Sequence, residues 1–217
     1  MKKNKLLIGA ALAASLLTLS FGIQSCSPGG DATAQAPQAP SFEVDPFWPK
    51  PLGNEWILGN VIGVAIDERD HIFIVHRASG EGIFGSRTEI GLQTGVSICC
   101  TPAPPIIEFD PDGNVVNAWG GPVEGAPYTW PSSNHGIEID HHGNVWIGGN
   151  GQGDSHILKF TRDGTFLEQL GTPGIIESDS NDTTRFSRVA EVAVVPETNE
   201  AFVSDGYGNR RIAVLDA

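Results

Sequence analysis

Side chains capable of chemistry stand at the ends of three apolar runs that lie far apart in the chain. Arg77 closes "HIFIVHR", His135 opens "HGIEID", and Tyr207 lies between two glycines after "FVSD". Arginine can bind a carboxylate through two parallel hydrogen bonds, and a phenol acts as a base only where nearby cationic charge lowers its pKa of about 10. From periodicity alone, however, His135 is best explained as a packed or capping histidine, and the polar residues around Tyr207 could simply fix a turn.

These three runs belong to an internal repeat. The segments 63–77, 136–150 and 191–205 each contain a strand, a polar turn and a second strand, and a third strand follows in each case as "IIEFD", "ILKF" or "IAVL". After the first two units an Asp-Gly turn leads to a fourth strand. Because no helical periodicity is found after residue 45, the pattern predicts an all-β fold of propeller blades, about three of which are present. Strand ends and loops line the faces of such a ring, where function usually resides.

The third unit reaches Ala217 before its own turn and fourth strand. Closing a propeller takes at least four blades and more often six or seven. We therefore expect the sequence to be the N-terminal part of a longer reading frame. An arc of three blades would expose edge strands, so we expect it to be marginally stable or prone to aggregate when made alone.

An insertion at about 78–103 lengthens the first unit and contains the adjacent cysteines Cys99 and Cys100. Neighbouring Cα atoms lie about 3.8 Å apart, which is shorter than the usual disulfide span, so a disulfide between them would be strained. Three possibilities stay open: a strained vicinal disulfide, pairing with a partner beyond the sequence, and a site for a soft metal. A structural role is favoured.

The N-terminal residues predict export. Three lysines precede an apolar run from Leu6 to Ile23, and the ending "IQSC" resembles a bacterial lipoprotein box with Cys26 as the lipidated residue. The alternatives are cleavage after Ala34-Gln35-Ala36 or a retained membrane anchor. The predicted organisation is a signal peptide (1–25), a disordered tether (26–45) rich in Pro, Ala and Gly, and a partial propeller (46–217).

The charge of the exported part excludes some partners. None of the 26 acidic residues and three of the 13 basic residues lie before Cys26, so the remainder is strongly acidic. Such a surface repels phosphate, which argues against nucleic acid and against anionic lipid, and leaves a lipid anchor as the expected contact with a membrane. We expect a location in the cell envelope, the periplasm or outside the cell. The oligomeric state is not indicated.

Two glycine-containing motifs predict turns rather than ligand sites. "DPDGN" at 110–114 lacks the spacing and distant Glu of a calcium-binding EF-hand, so a hairpin turn is favoured. "GGNGQG" at 148–153 precedes a strand and so has no helix N-terminus to bind phosphate. His71, His141 and His142 occupy turns and are expected to be solvated.

The segments "VIGVAIDERDHIFIVHR", "NHGIEIDHHGNVWIGG" and "EVAVVPETNEAFVSDGYGNRRI" resemble successive NHL-type repeats of peptidyl-α-hydroxyglycine α-amidating lyase, also called peptidylamidoglycolate lyase. The resemblance runs from about Trp48 to the end of the chain. It implies a six-bladed propeller that binds zinc and cleaves the C–N bond of a peptidyl-α-hydroxyglycine, which yields a peptide amide and glyoxylate. The substrate would therefore be a peptide or a small molecule.

The resemblance also assigns roles to residues of this sequence. It implies that Arg77 binds the substrate carboxylate, that His135 is one of three zinc ligands and that Tyr207 is the base. The backbone carbonyls of Val64 and Ile137 match positions that hold a structural calcium ion.

Two departures from the family limit what the resemblance implies. Gly208 and Ser187 stand where the family has a pair of bonded cysteines, and the other two zinc histidines would belong to blades beyond Ala217. A catalytic zinc typically needs three protein ligands, so we expect the 217 residues alone to be inactive. The alternative is a non-catalytic propeller that binds a protein or carbohydrate partner, and a different metal-assisted hydrolase on the same ring is a third possibility.

Overall fold

The structure is a computed structural model that describes residues 39–78, 100–175 and 177–217. Within these residues the chain forms short β-strands in the following order: β1 (Trp56–Ile57), β2 (Asn60–Ile66), β3 (Ile72–Arg77), β4 (Thr101–Pro102), β5 (Ile106–Phe109), β6 (Val115–Trp119), β7 (Asn134–Ile139), β8 (Val145–Gly149), β9 (His156–Phe160), β10 (Phe166–Gly171), β11 (Glu191–Val195), β12 (Glu200–Asp205) and β13 (Arg211–Asp216). The prediction of an all-β fold is confirmed.

The strands form three antiparallel sheets that follow one another along the chain. The first has the order β2-β3-β5-β6, the second β7-β8-β9-β10 and the third β11-β12-β13, while β1 and β4 form a small parallel pair. Strand β7 contacts β2 on one side and β11 on the other. The first strand of each sheet is therefore the inner strand, as in the blades of a propeller.

Equivalent Asp-Gly turns connect strands in the first two sheets. In "DPDGN" the carboxylate of Asp110 accepts the backbone N–H of Asn114 at 2.8 Å, and Gly113 has a φ of 84°. Asp140 accepts the N–H of Asn144 in the same way. The side-chain hydrogen bond from Asn114 lowers the pKa of Asp110. The predicted hairpin turn at 110–114 is thus confirmed.

Alternating side chains of the strands build two apolar layers around the second sheet. Val145 and Ile147 of β8 pack towards the first sheet, whereas Trp146 between them packs towards the third. Since successive side chains of a strand point to opposite faces, a sheet covered on both sides needs a continuous apolar run. The layer between the first two sheets comprises Phe73, Val75, Ile106, Trp130, Ile137, Val145, Ile147, Leu158 and Phe160.

The third sheet is covered on one face only among the described residues. Ala201 and Val203 of β12 are fully buried against the second sheet. On the opposite face, Phe202 pairs across the strands with Val214, and Val214 and Ile212 are more than half exposed. The expectation that the chain is marginally stable or prone to aggregate when made alone stays a prediction, and this open apolar face is the surface that would mediate association.

A charged cluster joins the turn ends of the first two sheets. Arg162 of the second sheet donates hydrogen bonds to Asp67 and Glu108 of the first, and its guanidinium stacks over Phe73. His71 lies 2.6 Å from Glu108 through Nδ1. The expectation of a solvated His71 is therefore wrong, because the incoming arginine draws this turn into a contact between sheets.

Several predictions fall on residues that the structure does not describe. The signal peptide, Cys26, most of the tether, and residues 79–99 of the insertion lie outside the described ranges. Cys100 is disulfide-bonded, but Cys99 is outside these ranges, so the vicinal disulfide stays a prediction. In the part of the chain that the structure describes, no helix is long and apolar enough to cross a membrane.

Candidate functional site

Two of the predicted site residues, Tyr207 and His135, are in direct contact. The phenolic oxygen of Tyr207 lies 2.9 Å from Nε2 of His135, and the two ring centroids are 5.1 Å apart in an edge-on arrangement. Tyr207 is half exposed, so the pair lies where a ligand from solvent can reach it. His135 is the second residue of inner strand β7 and Tyr207 follows β12, which places the contact at the junction of the second and third sheets.

The other ring nitrogen of His135 fixes the tautomer. Nδ1 lies 2.8 Å from the carbonyl oxygen of Ala190, and a carbonyl can only accept a hydrogen bond, so Nδ1 must carry the proton. Nε2 of the neutral ring is then unprotonated and accepts the hydrogen bond from the Tyr207 hydroxyl. A bare Nε2 whose partner nitrogen is bonded to a carbonyl is also the arrangement that a metal-binding histidine requires.

The glycine after His135 allows this arrangement. A Cβ at Gly136 would lie 2.5 Å from the carbonyl oxygen of Ala190 and 2.9 Å from Cα of Glu191. Real Cβ atoms do not approach backbone this closely, so only glycine lets β7 come near enough to β11 for His135 to reach Ala190. The close packing of inner strands β7 and β11 therefore explains why a glycine follows His135.

Arg77, the third predicted site residue, is held by the second sheet. Its Nε donates to the carbonyl of Asn134 at 3.3 Å, and a terminal nitrogen donates to Oδ1 of Asn150 at 3.2 Å. Ser133 donates its hydroxyl to the same Oδ1 at 2.9 Å. Since Asn134 directly precedes His135, Arg77 of the first sheet contacts the backbone one residue before the histidine.

Asp154 organises the loop that holds Arg77. Its nearly buried carboxylate accepts the backbone N–H groups of Ser132, Ser133 and Gly151. Three such hydrogen bonds fix the segments on both sides of Asn150. Sequence reasoning missed this residue, although an aspartate in a glycine-rich loop before a strand was a usable signal.

The loop that carries Tyr207 has a rigid base. The fully buried Asp205 accepts the N–H of Ser187 through Oδ1 at 2.8 Å, and through Oδ2 it accepts the side chains of Asn209 and Arg211. This network explains why Asp, Asn and Arg flank the tyrosine. These residues therefore stabilise the turn, and Tyr207 within the same turn also contacts His135.

Gly208 and Ser187, the two positions that depart from the family, are neighbours. The N–H of Gly208 donates to the carbonyl of Ser187 at 2.8 Å. A Cβ on Gly208 would lie 2.6 Å from Cβ of Ser187 and 1.9 Å from its hydroxyl. The structure therefore has a close backbone contact at this place.

His76 adjoins Arg77 in sequence but lies outside the site. It is fully buried, its Nδ1 accepts the N–H of Gly59 at 3.1 Å, and its Nε2 lies 2.8 Å from the carbonyl of Pro104. Burial lowers its pKa. His76 is thus a neutral structural residue that connects the second strand of its sheet to the flanking loops.

The described residues do not complete a metal site. No group of three or more His, Cys, Asp or Glu side chains within them could hold a metal ion, so His135 alone suits one ligand position. Val64 and Ile137 lie on the inner strands β2 and β7, which approach closely where Gly63 faces His135. A calcium ion bound by their carbonyls stays a prediction.

The stacked antiparallel sheets, which contact one another through their inner strands, define a propeller-type all-β protein. No protein-family model matches the chain. It is 29% identical over 176 residues to peptidyl-glycine alpha-amidating monooxygenase B of Xenopus laevis. The aligned region covers 79% of this chain and 18% of that protein. It is also 27% identical over 165 residues to the probable peptidyl-alpha-hydroxyglycine alpha-amidating lyase of Caenorhabditis elegans. This aligned region covers 74% of this chain and 42% of that protein.

The chain thus spans less than half the length of these relatives. Among solved structures it resembles virginiamycin B lyase from Staphylococcus aureus, with 14% identity, a TM-score of 0.40 and coverage of 76% of this chain and 43% of the other. It also resembles a chain of the nidogen/laminin complex, with 15% identity, a TM-score of 0.39 and coverage of 73% of this chain and 61% of the other. The relationship to the peptidylglycine-amidating enzymes is therefore distant but extends over most of this chain.

Proposed function

We propose that the protein is a zinc-dependent lyase that cleaves the C–N bond of a peptidyl-α-hydroxyglycine, or of a related N-acyl hemiaminal, and releases glyoxylate. The observation that carries this proposal is the contact between Tyr207 and His135. Arg77 is bonded to the carbonyl of Asn134, the residue before His135. These are the three residues for which the resemblance implies direct roles in this reaction, and the contact between two of them across two sheets supports the assignment.

The substrate offers two groups that match these side chains. Its carboxylate suits the guanidinium of Arg77, whose planar fork can donate two parallel hydrogen bonds. Its α-hydroxyl would then lie towards Tyr207. Holding a substrate at both ends in this way removes the entropy cost of finding the reactive arrangement, which can supply several kcal/mol of the barrier.

The reaction needs one proton to move from oxygen to nitrogen. The oxygen of Tyr207 receives the hydroxyl proton, the electron pair of the O–H bond forms the C=O of glyoxylate, and the C–N bond breaks. The amide nitrogen takes up a proton, so the products contain all the atoms of the substrate. A neutral Tyr207 passes its own proton to the amide nitrogen as it receives the hydroxyl proton, so the phenol is regenerated and Nε2 of His135 stays available to a metal ion.

Zinc would bind at Nε2 of His135. It would compete with the Tyr207 hydroxyl for the single lone pair of that nitrogen, and it would supply cationic charge beside the phenol and the substrate hydroxyl. The described residues provide one ligand and not three, so no step above depends on the ion. Zinc binding is tested by metal content, with His135→Ala as the variant that should lose it.

The direct test is release of glyoxylate from an N-acyl-α-hydroxyglycine. The chain is made together with any sequence that follows Ala217 in its reading frame and is assayed with zinc and with a chelator. Release that requires the protein and is lost in Arg77→Ala supports the proposal. A folded, zinc-loaded protein that releases none would overturn it and favour a binding propeller.

A further inference from the structure

Arg188 has an unusual backbone conformation next to the candidate site. Its φ is 63°, in the left-handed region that L-residues other than glycine seldom adopt. Such a conformation is unfavourable for a residue with a Cβ and persists only where the surrounding contacts enforce it. The residue lies between Ser187 and Val189, just before inner strand β11.

The contacts that enforce this conformation lead to Tyr207. The Arg188 guanidinium donates to the carbonyl of Tyr207 at 2.7 Å, and the N–H of Tyr207 faces the carbonyl of Arg188 at 3.4 Å. The N–H of Arg188 donates to the carbonyl of Asp154 at 3.0 Å, which ties the segment to the second sheet. Arg188 therefore contacts both backbone polar groups of the tyrosine.

The tip of the Tyr207 loop has little other support. Asp205 and Asn209 fix its base, but a Cβ on Gly206 would meet nothing within 4 Å. Glycine on each side leaves the backbone at Tyr207 with unusual freedom. Among the described residues, the other backbone hydrogen bond of the tip runs from the N–H of Gly208 to the carbonyl of Ser187, the neighbour of Arg188.

A glycine at position 188 would adopt the same φ without strain, but it would lack the guanidinium. The presence of a strained arginine is explained if the side chain itself is needed. We propose that Arg188 is a positioning residue that fixes the backbone of Tyr207 and so keeps its phenolic oxygen against Nε2 of His135. Its importance for turnover rests on the proposed lyase function, whereas its effect on the tyrosine does not.

A different role would be direct binding of substrate. Arg188 also borders a polar cavity of about 140 Å³ lined by Gln152, Ser155 and Ser178 among others. A substrate contact that is equal in the ground state and the transition state would affect KM, whereas misplacement of Tyr207 would affect kcat. The two roles therefore predict different kinetics.

Fluorotyrosine labelling tests the positioning role without any activity. The chain has two tyrosines, and Tyr128 is packed against Trp130 and Phe160 far from the loop in sequence. In a 3-fluorotyrosine-labelled protein, Tyr207→Phe assigns the two ¹⁹F signals. Arg188→Ala should move the Tyr207 signal towards that of free fluorotyrosine and narrow it, while the Tyr128 signal stays in place and shows that the core is folded.

Two further variants separate the backbone from the side chain. Arg188→Gly accepts the φ of 63° but should move the Tyr207 signal as alanine does, and Arg188→Lys, which keeps a donor, should restore it in part. A Tyr207 signal that is unchanged in both the alanine and glycine variants would overturn the proposal.

Kinetics then test the consequence for turnover. Arg188→Ala should lower kcat on the order of 10- to 100-fold and change KM less than about threefold. A raised KM with unchanged kcat would overturn the positioning role and assign Arg188 to substrate binding. Absence of activity in the wild-type protein would count against the proposed function, and the ¹⁹F spectra would still decide the role of Arg188.

Discussion

The phenolic oxygen of Tyr207 lies 2.9 Å from Nε2 of His135, which joins two residues 72 positions apart in the chain. The hydrogen bond from Nδ1 to Ala190 leaves Nε2 free to accept it. Nε2 of His135 is thus both the hydrogen-bond partner of the proposed base and the atom that would bind the metal.

Substitution of Gly208 by alanine should disrupt the Tyr207 loop. The new Cβ would lie 1.9 Å from the hydroxyl of Ser187 and 2.7 Å from its carbonyl oxygen, so the two segments must separate. We expect a loss of about 1 to 3 kcal/mol in the free energy of unfolding, measured by urea denaturation. Gly206→Ala is the matched control because nothing lies within 4 Å of its Cβ. Equal loss in both variants would contradict the explanation.

Removal of the Asn150 side chain should weaken substrate binding. Oδ1 of Asn150 accepts from Arg77, so Asn150→Ala leaves the guanidinium less well oriented for a carboxylate. We expect KM to rise about tenfold with a smaller change in kcat. Asn150→Asp should also raise KM because its charge competes with the substrate for Arg77. An unchanged KM in both variants would show that Arg77 does not bind the substrate.

The cluster around Asp67 should make stability depend on pH. Although burial raises the pKa of Asp67, hydrogen bonds from Arg162 and from the backbone of His71 and Arg69 lower it from 3.8 to about 2. A carboxyl with a depressed folded pKa stabilises the protein above its unfolded pKa and loses that contribution as pH falls through the folded value. The stabilisation should therefore be complete above about pH 4 and fade towards pH 2.

Asp67→Asn tests this linkage. At pH 7 the variant should be less stable than the wild type by about 1 to 2 kcal/mol, and the difference should shrink as the pH falls from 4 to 2. Arg69→Gln is the control, since Arg69 forms the more exposed ion pair with the same carboxylate. A difference that stays constant from pH 7 to pH 2 would show that the ion pair with Arg162 is not its source.

The open face of the third sheet should drive self-association. Val214 is about half exposed and pairs across the strands with Phe202. Val214→Lys should therefore shift sedimentation velocity profiles of the 217-residue chain towards the monomer with little change in thermal stability. The buried Val203 offers a contrast, because Val203→Lys should unfold the sheet. If the Val214→Lys variant associates as the wild type does, the open face of the third sheet is not the surface responsible.

Local patterns in the sequence account for most of the fold. The repeat of apolar runs and the Asp-Gly turns at Gly113 and Gly143 are short-range signals, and the sheets follow them. The contacts between sheets were not predictable in this way. The reach of Arg162 to Asp67 and Glu108 depends on how two blades stack, which no local pattern encodes.

The candidate site, like the fold, could be predicted from the sequence only in part. Arg77, His135 and Tyr207 were identified from the resemblance, and the structure brings His135 and Tyr207 into contact and bonds Arg77 to the carbonyl of Asn134. The left-handed backbone of Arg188 was not predictable, because arginine normally disfavours that conformation and only tertiary contacts enforce it. The zinc and calcium sites stay predictions.

The most direct measurement is the rate of glyoxylate release by Tyr207→Phe at saturating N-acyl-α-hydroxyglycine, with Tyr128→Phe as the matched control. The phenylalanine variant keeps the ring but removes the oxygen that contacts His135, whereas Tyr128 lies in the aromatic core. The account predicts that kcat falls at least 100-fold in the first variant and stays within about twofold of wild type in the second. A Tyr207→Phe protein that retains wild-type turnover would contradict the central role assigned to this residue.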